Sequence, residues 1–270
     1  MERQTQIQTL IRLLLEDLPA YRQQVQGVPR DAASQRRLLR ALMNLRPPMP
    51  LREEFLAMQD ELLSSEREER GVADAASLPA VSGSAQIALW RGDITRLRAD
   101  AVVNAANSAL LGCFHPCHGC IDNAIHSAAG LQLREECRRL MEVQGHPEPN
   151  GRAKLTGGYN LPARYVLHTV GPVVRGSVSC RDREDLAACY RSCLALAAAH
   201  DLGSVAFCCI STGEFRFPHR EAAEIAVQTV RSFLRTPSSI HKVIFNVFTD
   251  TDEQIYRELL GPDTAAATAP

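Results

Sequence analysis

The segment from residue 112 to residue 120 carries the clearest chemical potential in this chain. It reads Gly-Cys-Phe-His-Pro-Cys-His-Gly-Cys, so thiol and imidazole groups crowd into a tight loop beside a proline and two glycines. Thiolate and imidazole are ligands that zinc prefers in proteins. Three protein ligands would leave one tetrahedral position free, as in catalytic sites, whereas four would close a structural site. Spacing alone does not select the ligands, and a structural zinc knuckle or metal-free reactive thiols are the alternatives.

Three further loops of short polar residues and glycine follow β-prone segments. They cover residues 92–95, 104–107 and 211–215. In open α/β sheets, ligands bind beyond the carboxyl ends of the strands, so these loops are predicted to line a ligand cleft. Each loop taken singly has a structural alternative. Asp93 could cap a helix or turn, and Asn107 could tie loops together through its amide.

The elements that position these loops are short apolar runs alternating with helical patterns. Several runs are almost entirely apolar, as expected of strands buried on both faces. The alternation predicts a three-layer α/β fold with a mixed central sheet. The runs are residues 87–90, 101–104, 165–170, 205–210 and 243–248, and the helical patterns are residues 122–142, 182–200 and 220–234.

The chain is predicted to have four parts. Residues 1–70 form an N-terminal helical extension, because leucines recur at helical spacing around a proline-rich break. Residues 71–85 are small and polar and are typical of a linker. Residues 86–262 hold the α/β domain, and residues 263–270 are an Ala/Thr-rich tail expected to be flexible.

Composition excludes several classes of protein. The formal net charge of the 270 residues is -1, without the basic excess of nucleic-acid binders, so no nucleic-acid partner is expected. No apolar run is long enough to span a membrane, and no signal-peptide pattern is present, so no membrane association is expected. The nine cysteines, odd in number and irregularly spaced, argue against a disulfide framework and for a reducing cytoplasm. We expect a monomer.

Taken together and in this order, the motifs resemble the macrodomain family, which binds ADP-ribose. The resemblance covers about two-thirds of the chain, from about residue 86 to residue 260. The replacement of a glycine-rich stretch by residues 112–120, and the helical extension, are similar to the zinc-containing macrodomains of microbes. The matching pieces are Gly92-Asp93-Ile94, the Asn-Ala-Ala-Asn of residues 104–107, residues 121–126 with Gly130, and Ser211-Thr212-Gly213 followed by Phe215, Phe217 and Pro218.

That resemblance implies one zinc ion per chain, held by Cys113, His118 and Cys120. Whether Cys117 or His115 joins the metal ligands stays open. The other histidines of the domain core, such as His126 and His168, are expected to be packing residues.

The resemblance also implies an ADP-ribose site. Asp93 would accept a hydrogen bond from the adenine amino group, and Asn107 would bind the distal ribose. The backbone at the start of the helix that begins at Asp122, and around Gly213, would bind the diphosphate. Asn107 and Asp122 are the candidate catalytic residues, although Asp122 could instead be structural or support the metal. The full set of implied contacts is Asp93, Ile94, Asn107, Cys120, Ile121, Asp122, Asn123, Ser211, Thr212, Gly213, Glu214 and Phe215.

The activity implied by the resemblance is zinc-dependent hydrolysis that removes mono-ADP-ribose from modified proteins, with Asp or Glu as the linked residue. The zinc would polarise a ribose or acyl oxygen, or lower the pKa of a bound water towards about 7. The alternatives are a non-catalytic ADP-ribose-binding module and an O-acetyl-ADP-ribose deacetylase. A lipoyl-carrier protein modified by a sirtuin-type ADP-ribosyltransferase is the implied target. The first 70 residues could pad the domain, cover the cleft or recognise the protein substrate.

Overall fold

The computed structural model describes residues 2–261, so the predicted flexible tail at residues 263–270 lies outside the described residues. The strands are β1 Ala73–Asp74, β2 Ile87–Arg91, β3 Leu97–Arg98, β4 Ala101–Ala105, β5 Ala153–Gly157, β6 Tyr165–Thr169, β7 Ser204–Phe207 and β8 Lys242–Val247. The helices are α1 Arg3–Asp17, α2 Ala32–Leu45, α3 Glu53–Arg70, α4 Ile121–Ala129, α5 Leu131–Gln144, α6 Cys180–Ala199, α7 His219–Phe233 and α8 Asp250–Leu260.

Six strands form the central sheet in the order β2-β8-β7-β4-β6-β5. Every neighbouring pair is parallel except β5 and β6, which are antiparallel. Val102 and Val103 are adjacent in β4, point to opposite faces of the sheet, and are both fully buried. Because both faces are covered, helices must pack on each side. The predicted three-layer α/β fold with a mixed sheet is therefore confirmed.

The edge strand β5 and helix α8 have no counterpart among the predicted elements. The sequence of β5, Ala-Lys-Leu-Thr-Gly, has two polar residues in five, and four of its five residues are only partly buried. An edge strand on one side of a sheet does not need the continuous apolar run that marks the central strands.

The helix predicted over residues 122–142 is wrong in one respect, because it is two helices. Gly130 interrupts it with a φ of 98°, in the left-handed region that favours glycine. A Cβ there would lie 2.6 Å from the amide of Gln59 in α3. The Gln59 side chain also accepts a hydrogen bond from the Leu131 N–H at 2.9 Å. The break thus lets the N-terminal helices approach the α/β domain closely.

The helices α1 to α3 share an apolar core of their own. Leu10, Leu14, Leu39 and Leu62 are almost fully buried in it, and Leu131 of α5 joins the same cluster. A separate and larger core surrounds the six-stranded sheet. Two cores support the division into an extension and an α/β domain, whose boundaries stay a prediction.

The segment predicted as a linker, residues 71–85, carries some structure. Its strand β1 pairs in parallel with β3. Ala75 and Val81 are buried in the core that surrounds the central sheet. The segment therefore packs along the α/β domain. Within the described residues, no helix combines the length and apolarity needed to cross a membrane.

Candidate functional site

A cleft of about 930 Å³ opens beyond the carboxyl ends of β2, β4 and β7. The parallel strand order brings together loops that are far apart in sequence, as expected for ligand sites in open α/β sheets. Every predicted ADP-ribose contact except Asn123 lines this cleft, and so do Cys113 and His118. The lining residues that the sequence did not single out include Arg40, Phe114, Asn246 and Phe248.

Asp93 lies at one end of the cleft, directly after β2. Its Oδ1 accepts hydrogen bonds from the Thr95 N–H at 3.0 Å and from Thr95 Oγ1 at 2.7 Å, which caps the short helical turn Ile94–Arg96. Its Oδ2 takes no part in the cap and lies 3.5 Å from Nη1 of Arg70. One oxygen of Asp93 thus has the capping role, while the second faces the Arg70 guanidinium and lies in the lining of the cleft.

The loop at residues 211–215 has a backbone shaped for close approach. Ser211 has a φ of 66°, and its buried Oγ has no hydrogen-bond partner among the described residues. A Cβ on Gly213 would meet nothing within 4 Å, so open space faces this glycine. Phe217 is buried in the core, whereas Phe215 lines the cleft. The open space at Gly213 lets a ligand approach the backbone of this loop closely.

Three side chains of the loop at residues 112–120 converge at the other end of the cleft. One ligand atom each from Cys113, His118 and Cys120 lies within 4.8 Å of the others. Cys113 Sγ is 3.6 Å from His118 Nδ1. Cys117 is directed elsewhere, because its Sγ lies 3.4 Å from the backbone oxygen of Arg37. The group of three could therefore hold a metal ion.

The donor set of this group fits zinc. Two ligands of a tetrahedral zinc, at about 2.3 Å for sulfur and 2.0–2.1 Å for nitrogen, lie about 3.6 Å apart, which is the separation of Cys113 Sγ and His118 Nδ1. Burial, and to a lesser extent the nearby Cys113, raise the pKa of the Cys120 thiol to about 12. A bound cation would oppose both effects and favour thiolates. Two partly buried thiols and an imidazole at this separation are a typical zinc-binding set.

Helix α4 begins inside this group. Cys120 is its N-cap, and the Cys120 Sγ accepts a hydrogen bond from the Asn123 N–H at 3.4 Å. The helix thus starts at Ile121, one residue before the predicted Asp122, and the free N–H groups of its first turn lie at the cleft. A helix start of this kind favours an anionic group, such as a diphosphate.

Asn123 lies beneath the loop, outside the lining of the cleft. It is fully buried, and its Nδ2 donates to the backbone oxygens of Cys113 at 3.4 Å and His115 at 3.0 Å. The amide of Asn123 therefore holds the loop in shape. Asparagine is suited to this position because one side chain offers both donors and an acceptor.

Asp122 is buried beneath the cleft between two asparagines. Its Oδ1 accepts a hydrogen bond from Asn104 Nδ2 at 2.8 Å, and its Oδ2 from Asn107 Nδ2 at 3.3 Å. Burial raises the pKa of Asp122 to about 6, although the Asn104 hydrogen bond and the charge of Arg134 lower it. A carboxyl group with a pKa in this range can hold or release a proton near neutral pH.

A second group of potential metal ligands lies deeper, formed by His126, Cys137 and His168. The His168 ring has partners on both nitrogens, since Asn104 Nδ2 lies 3.2 Å from Nδ1 and Thr156 Oγ1 lies 2.9 Å from Nε2. The nitrogens of His126 are buried without a hydrogen-bond partner among the described residues. Burial lowers the pKa of His168 to about 3, so this ring is neutral.

Comparison with known proteins connects this site to a family. A family model described as Macro domain matches residues 103–226. A protein-ADP-ribose hydrolase from Treponema medium is 50% identical over 253 residues, which cover 93% of this chain and 96% of that protein. This chain belongs to the macro domain family. A protein-ADP-ribose hydrolase from Staphylococcus aureus strain Mu50 is 52% identical over 227 residues, or 84% of this chain and 85% of that protein.

Solved macrodomain structures share the fold. A Trypanosoma brucei macrodomain in complex with ADP-ribose superimposes with a TM-score of 0.64 at 34% identity, covering 82% of this chain and 95% of that one. An Oceanobacillus iheyensis macrodomain mutant with ADPR gives a TM-score of 0.59 at 38% identity, covering 64% of this chain and 90% of that one. The predictions of a macrodomain fold and of an enzyme in the protein-ADP-ribose hydrolase family are confirmed by these relatives.

Proposed function

We propose that this macrodomain is a zinc-dependent hydrolase that removes mono-ADP-ribose from modified proteins. The class of enzyme rests on relatives named protein-ADP-ribose hydrolase at about half identity over most of the chain. Zinc dependence is supported by one observation above all. Cys113, His118 and Cys120 converge on the same cleft that Asn107 and Asp122 line.

Different residues of the cleft bind different parts of ADP-ribose. Asp93 Oδ2 accepts a hydrogen bond from the adenine amino group, and the backbone of Ile94 assists. The N–H groups at the start of α4 and the loop at residues 211–215 hold the diphosphate. This binding energy orients the bond at the distal ribose, which lies at the far end of the molecule from Asp93.

The reacting end lies between the loop at residues 112–120 and the asparagine-carboxylate cluster. A zinc ion, when bound, supplies Lewis acidity to an oxygen or lowers the pKa of a water molecule. Asn107 binds the distal ribose, and its position is fixed because Nδ2 donates to the Gly112 backbone oxygen and to Asp122 Oδ2. Asp122 takes up and releases a proton at its carboxyl group, and Asn104 fixes the position of that group through Oδ1.

The substrate linkage, the target protein and the compartment follow from the same resemblance. We take the linkage to be Asp or Glu and the target to be a lipoyl-carrier protein modified by a sirtuin-type transferase, as the resemblance to zinc-containing macrodomains implies. The protein acts as a monomer in the cytoplasm. A reducing compartment agrees with the nine cysteines, all of which are free thiols.

The deciding experiment measures zinc content and the rate of de-ADP-ribosylation on the same samples. Cys113→Ala and His118→Ala are compared with wild type and with Cys180→Ala, which removes an exposed thiol of α6. Circular dichroism checks folding, and calorimetry measures ADP-ribose binding. We expect the two loop variants to lose zinc and turnover but still bind ADP-ribose, while Cys180→Ala behaves as wild type.

Three other results of these measurements would favour a different function. Turnover that survives the loss of zinc would make the metal structural. ADP-ribose binding without turnover in zinc-loaded wild type would indicate a binding module. A higher rate on O-acetyl-ADP-ribose than on modified protein would favour the deacetylase.

A further inference from the structure

Helix α2 of the N-terminal extension touches the loop at residues 112–120 directly. Arg40 of this helix donates from Nη2 to Asn123 Oδ1 at 2.7 Å and to the backbone oxygen of His118 at 3.2 Å. Asn123 is the residue that holds the loop from below. Arg40 thus hydrogen-bonds both to Asn123, which supports the loop, and to the backbone carbonyl of His118, a proposed metal ligand.

Asn44, one turn further along α2, makes the second contact. Its Oδ1 accepts a hydrogen bond from the Cys117 N–H at 2.9 Å, and its Nδ2 donates to Ser127 Oγ at 3.0 Å. Cys117 has a φ of 53°, a left-handed conformation that is unfavourable for a residue with a side chain. Such a conformation persists only where neighbours fix it, and here Asn44 holds the Cys117 N–H while the Arg37 backbone oxygen contacts the Cys117 thiol.

The end of α2 is fastened to the α/β domain by Arg134. The guanidinium of this buried side chain donates from Nη1 to the backbone oxygens of Met43 and Asn44, at 2.9 Å and 3.0 Å. Its Nε donates to the backbone oxygen of Leu111, just before the loop, at 2.8 Å. The helix and the start of the loop therefore share one anchor.

We propose that Arg40 and Asn44 are positioning residues that hold the Cys113–Cys120 loop ready to bind metal, so that the N-terminal helices set its metal affinity. This inference rests on the zinc site of the proposed function. The loop at residues 112–120 contains two glycines and one residue, Cys117, in an unfavourable conformation, so ordering it at the moment of binding would weaken the affinity. Contacts made by α2 order it beforehand. The N-terminal helical extension then has the role of supporting the loop at residues 112–120.

The first test measures zinc affinity by competition with the chelating dye 4-(2-pyridylazo)resorcinol. Partners that orient metal ligands typically change affinity by about 10-fold to 100-fold, so Arg40→Ala and Asn44→Ala should each weaken zinc binding by about 10-fold or more. Arg37→Ala, which removes an exposed arginine one turn earlier in α2, should leave the affinity unchanged. Arg40→Lys should recover part of the loss, because an ammonium can reach one acceptor but not both.

The second test follows hydrogen–deuterium exchange of residues 112–123 in chelator-treated protein, where no zinc contributes. Arg40→Ala should raise exchange in this segment and leave the strands of the central sheet as protected as in wild type. This readout separates the two proposals. A wild type that binds no zinc would overturn the zinc function, yet faster exchange in Arg40→Ala would still support the role of α2.

Two outcomes would overturn the inference. One is an Arg40→Ala protein with wild-type zinc affinity and wild-type exchange in the loop. The other is a loss confined to ADP-ribose affinity, which would make Arg40, as a residue of the cleft lining, a substrate contact.

Discussion

His118 Nε2 lies 3.4 Å from Oε1 of Glu214, while Nδ1 of the same ring faces Cys113 Sγ at 3.6 Å. An acceptor on the far nitrogen of a ligating histidine keeps the proton there and presents the lone pair of the other nitrogen to the metal. Glu214 belongs to the loop at residues 211–215, which faces the proposed diphosphate position. The imidazole of His118 thus connects the loop at residues 112–120 to the loop at residues 211–215.

Replacing Glu214 should therefore weaken zinc binding without unfolding the protein. Because the Glu214 side chain is largely exposed, we expect Glu214→Ala to lower zinc affinity by about 10-fold, at the low end for such partners. Glu214→Gln should recover part of the affinity, since its amide oxygen still accepts a hydrogen bond. Chelator competition gives the affinities, and Glu224→Ala, an exposed glutamate of α7, is the matched control. Equal affinity in Glu214→Ala and Glu224→Ala would contradict this role.

Asp122→Asn tests whether the buried carboxyl group takes part in the reaction. Groups that hold or transfer a proton contribute about 10²-fold to 10⁴-fold, so kcat should fall at least about 100-fold. The affinity for ADP-ribose should stay within about threefold, because the side chain keeps its shape. Single-turnover rates and calorimetry measure the two quantities. Asp201→Asn, at an exposed position far along the chain, is the control, and a kcat within threefold of wild type in Asp122→Asn would leave Asp122 only a structural role.

Much of this cleft could be predicted because parallel strands bring their carboxyl ends to one edge of the sheet. That rule alone predicts that the loops at residues 92–95, 104–107 and 211–215 lie together. The α/β fold could also be predicted, because the central strands are continuous apolar runs that alternate with helical patterns. The break at Gly130 was missed because a stripe at four-residue spacing runs through it unchanged.

The contacts made across long sequence distances could not be predicted. Arg40 meets Asn123 across 83 residues, and neither side chain carries a local pattern that names its partner. A charged residue on a helix is ordinarily solvated, so only the packing of α2 on the loop reveals its role. The resemblance implies a backbone contact between Asn123 and the ligand, but the motif does not show that the Asn123 side chain holds the loop at residues 112–120.

Phe248 is a residue of the cleft that the sequence did not single out. Its side chain lines the cleft just after β8, and the residue is 74% exposed, which is unusual for a large aromatic residue. An exposed ring beside an adenine position is suited to stacking, which is worth about 1–3 kcal/mol per base. Phe248→Ala should therefore weaken ADP-ribose binding by about 10-fold and leave the thermal midpoint unchanged. Calorimetry with Val143→Ala, another exposed apolar residue, as the control would show this, and unchanged affinity would remove Phe248 from the ligand site.

The buried ring of His168 should make the protein less stable in mild acid. Burial lowers its pKa from 6.5 to about 3, so the folded state keeps the ring neutral while the unfolded chain takes up a proton below about pH 6.5. The unfolded state then binds more protons, and stability is lost as the pH falls from about 6.5 towards 3. One such group changes the free energy of unfolding by about 1.4 kcal/mol per pH unit.

His168→Gln isolates this contribution from that of the other titrating groups. The variant loses some stability at every pH, because Asn104 and Thr156 pack against the ring, but it has no imidazole to protonate. Between pH 6 and pH 5, wild type should therefore lose about 1.2 kcal/mol more than the variant, as measured by urea unfolding at fixed zinc concentration. His200→Gln, which removes an exposed imidazole, should follow the wild-type slope. If stability fell equally steeply with pH in wild type and in His168→Gln, the folded protein would take up a proton at His168. The polar group of Asn104, Thr156 and His168 would then be open to water.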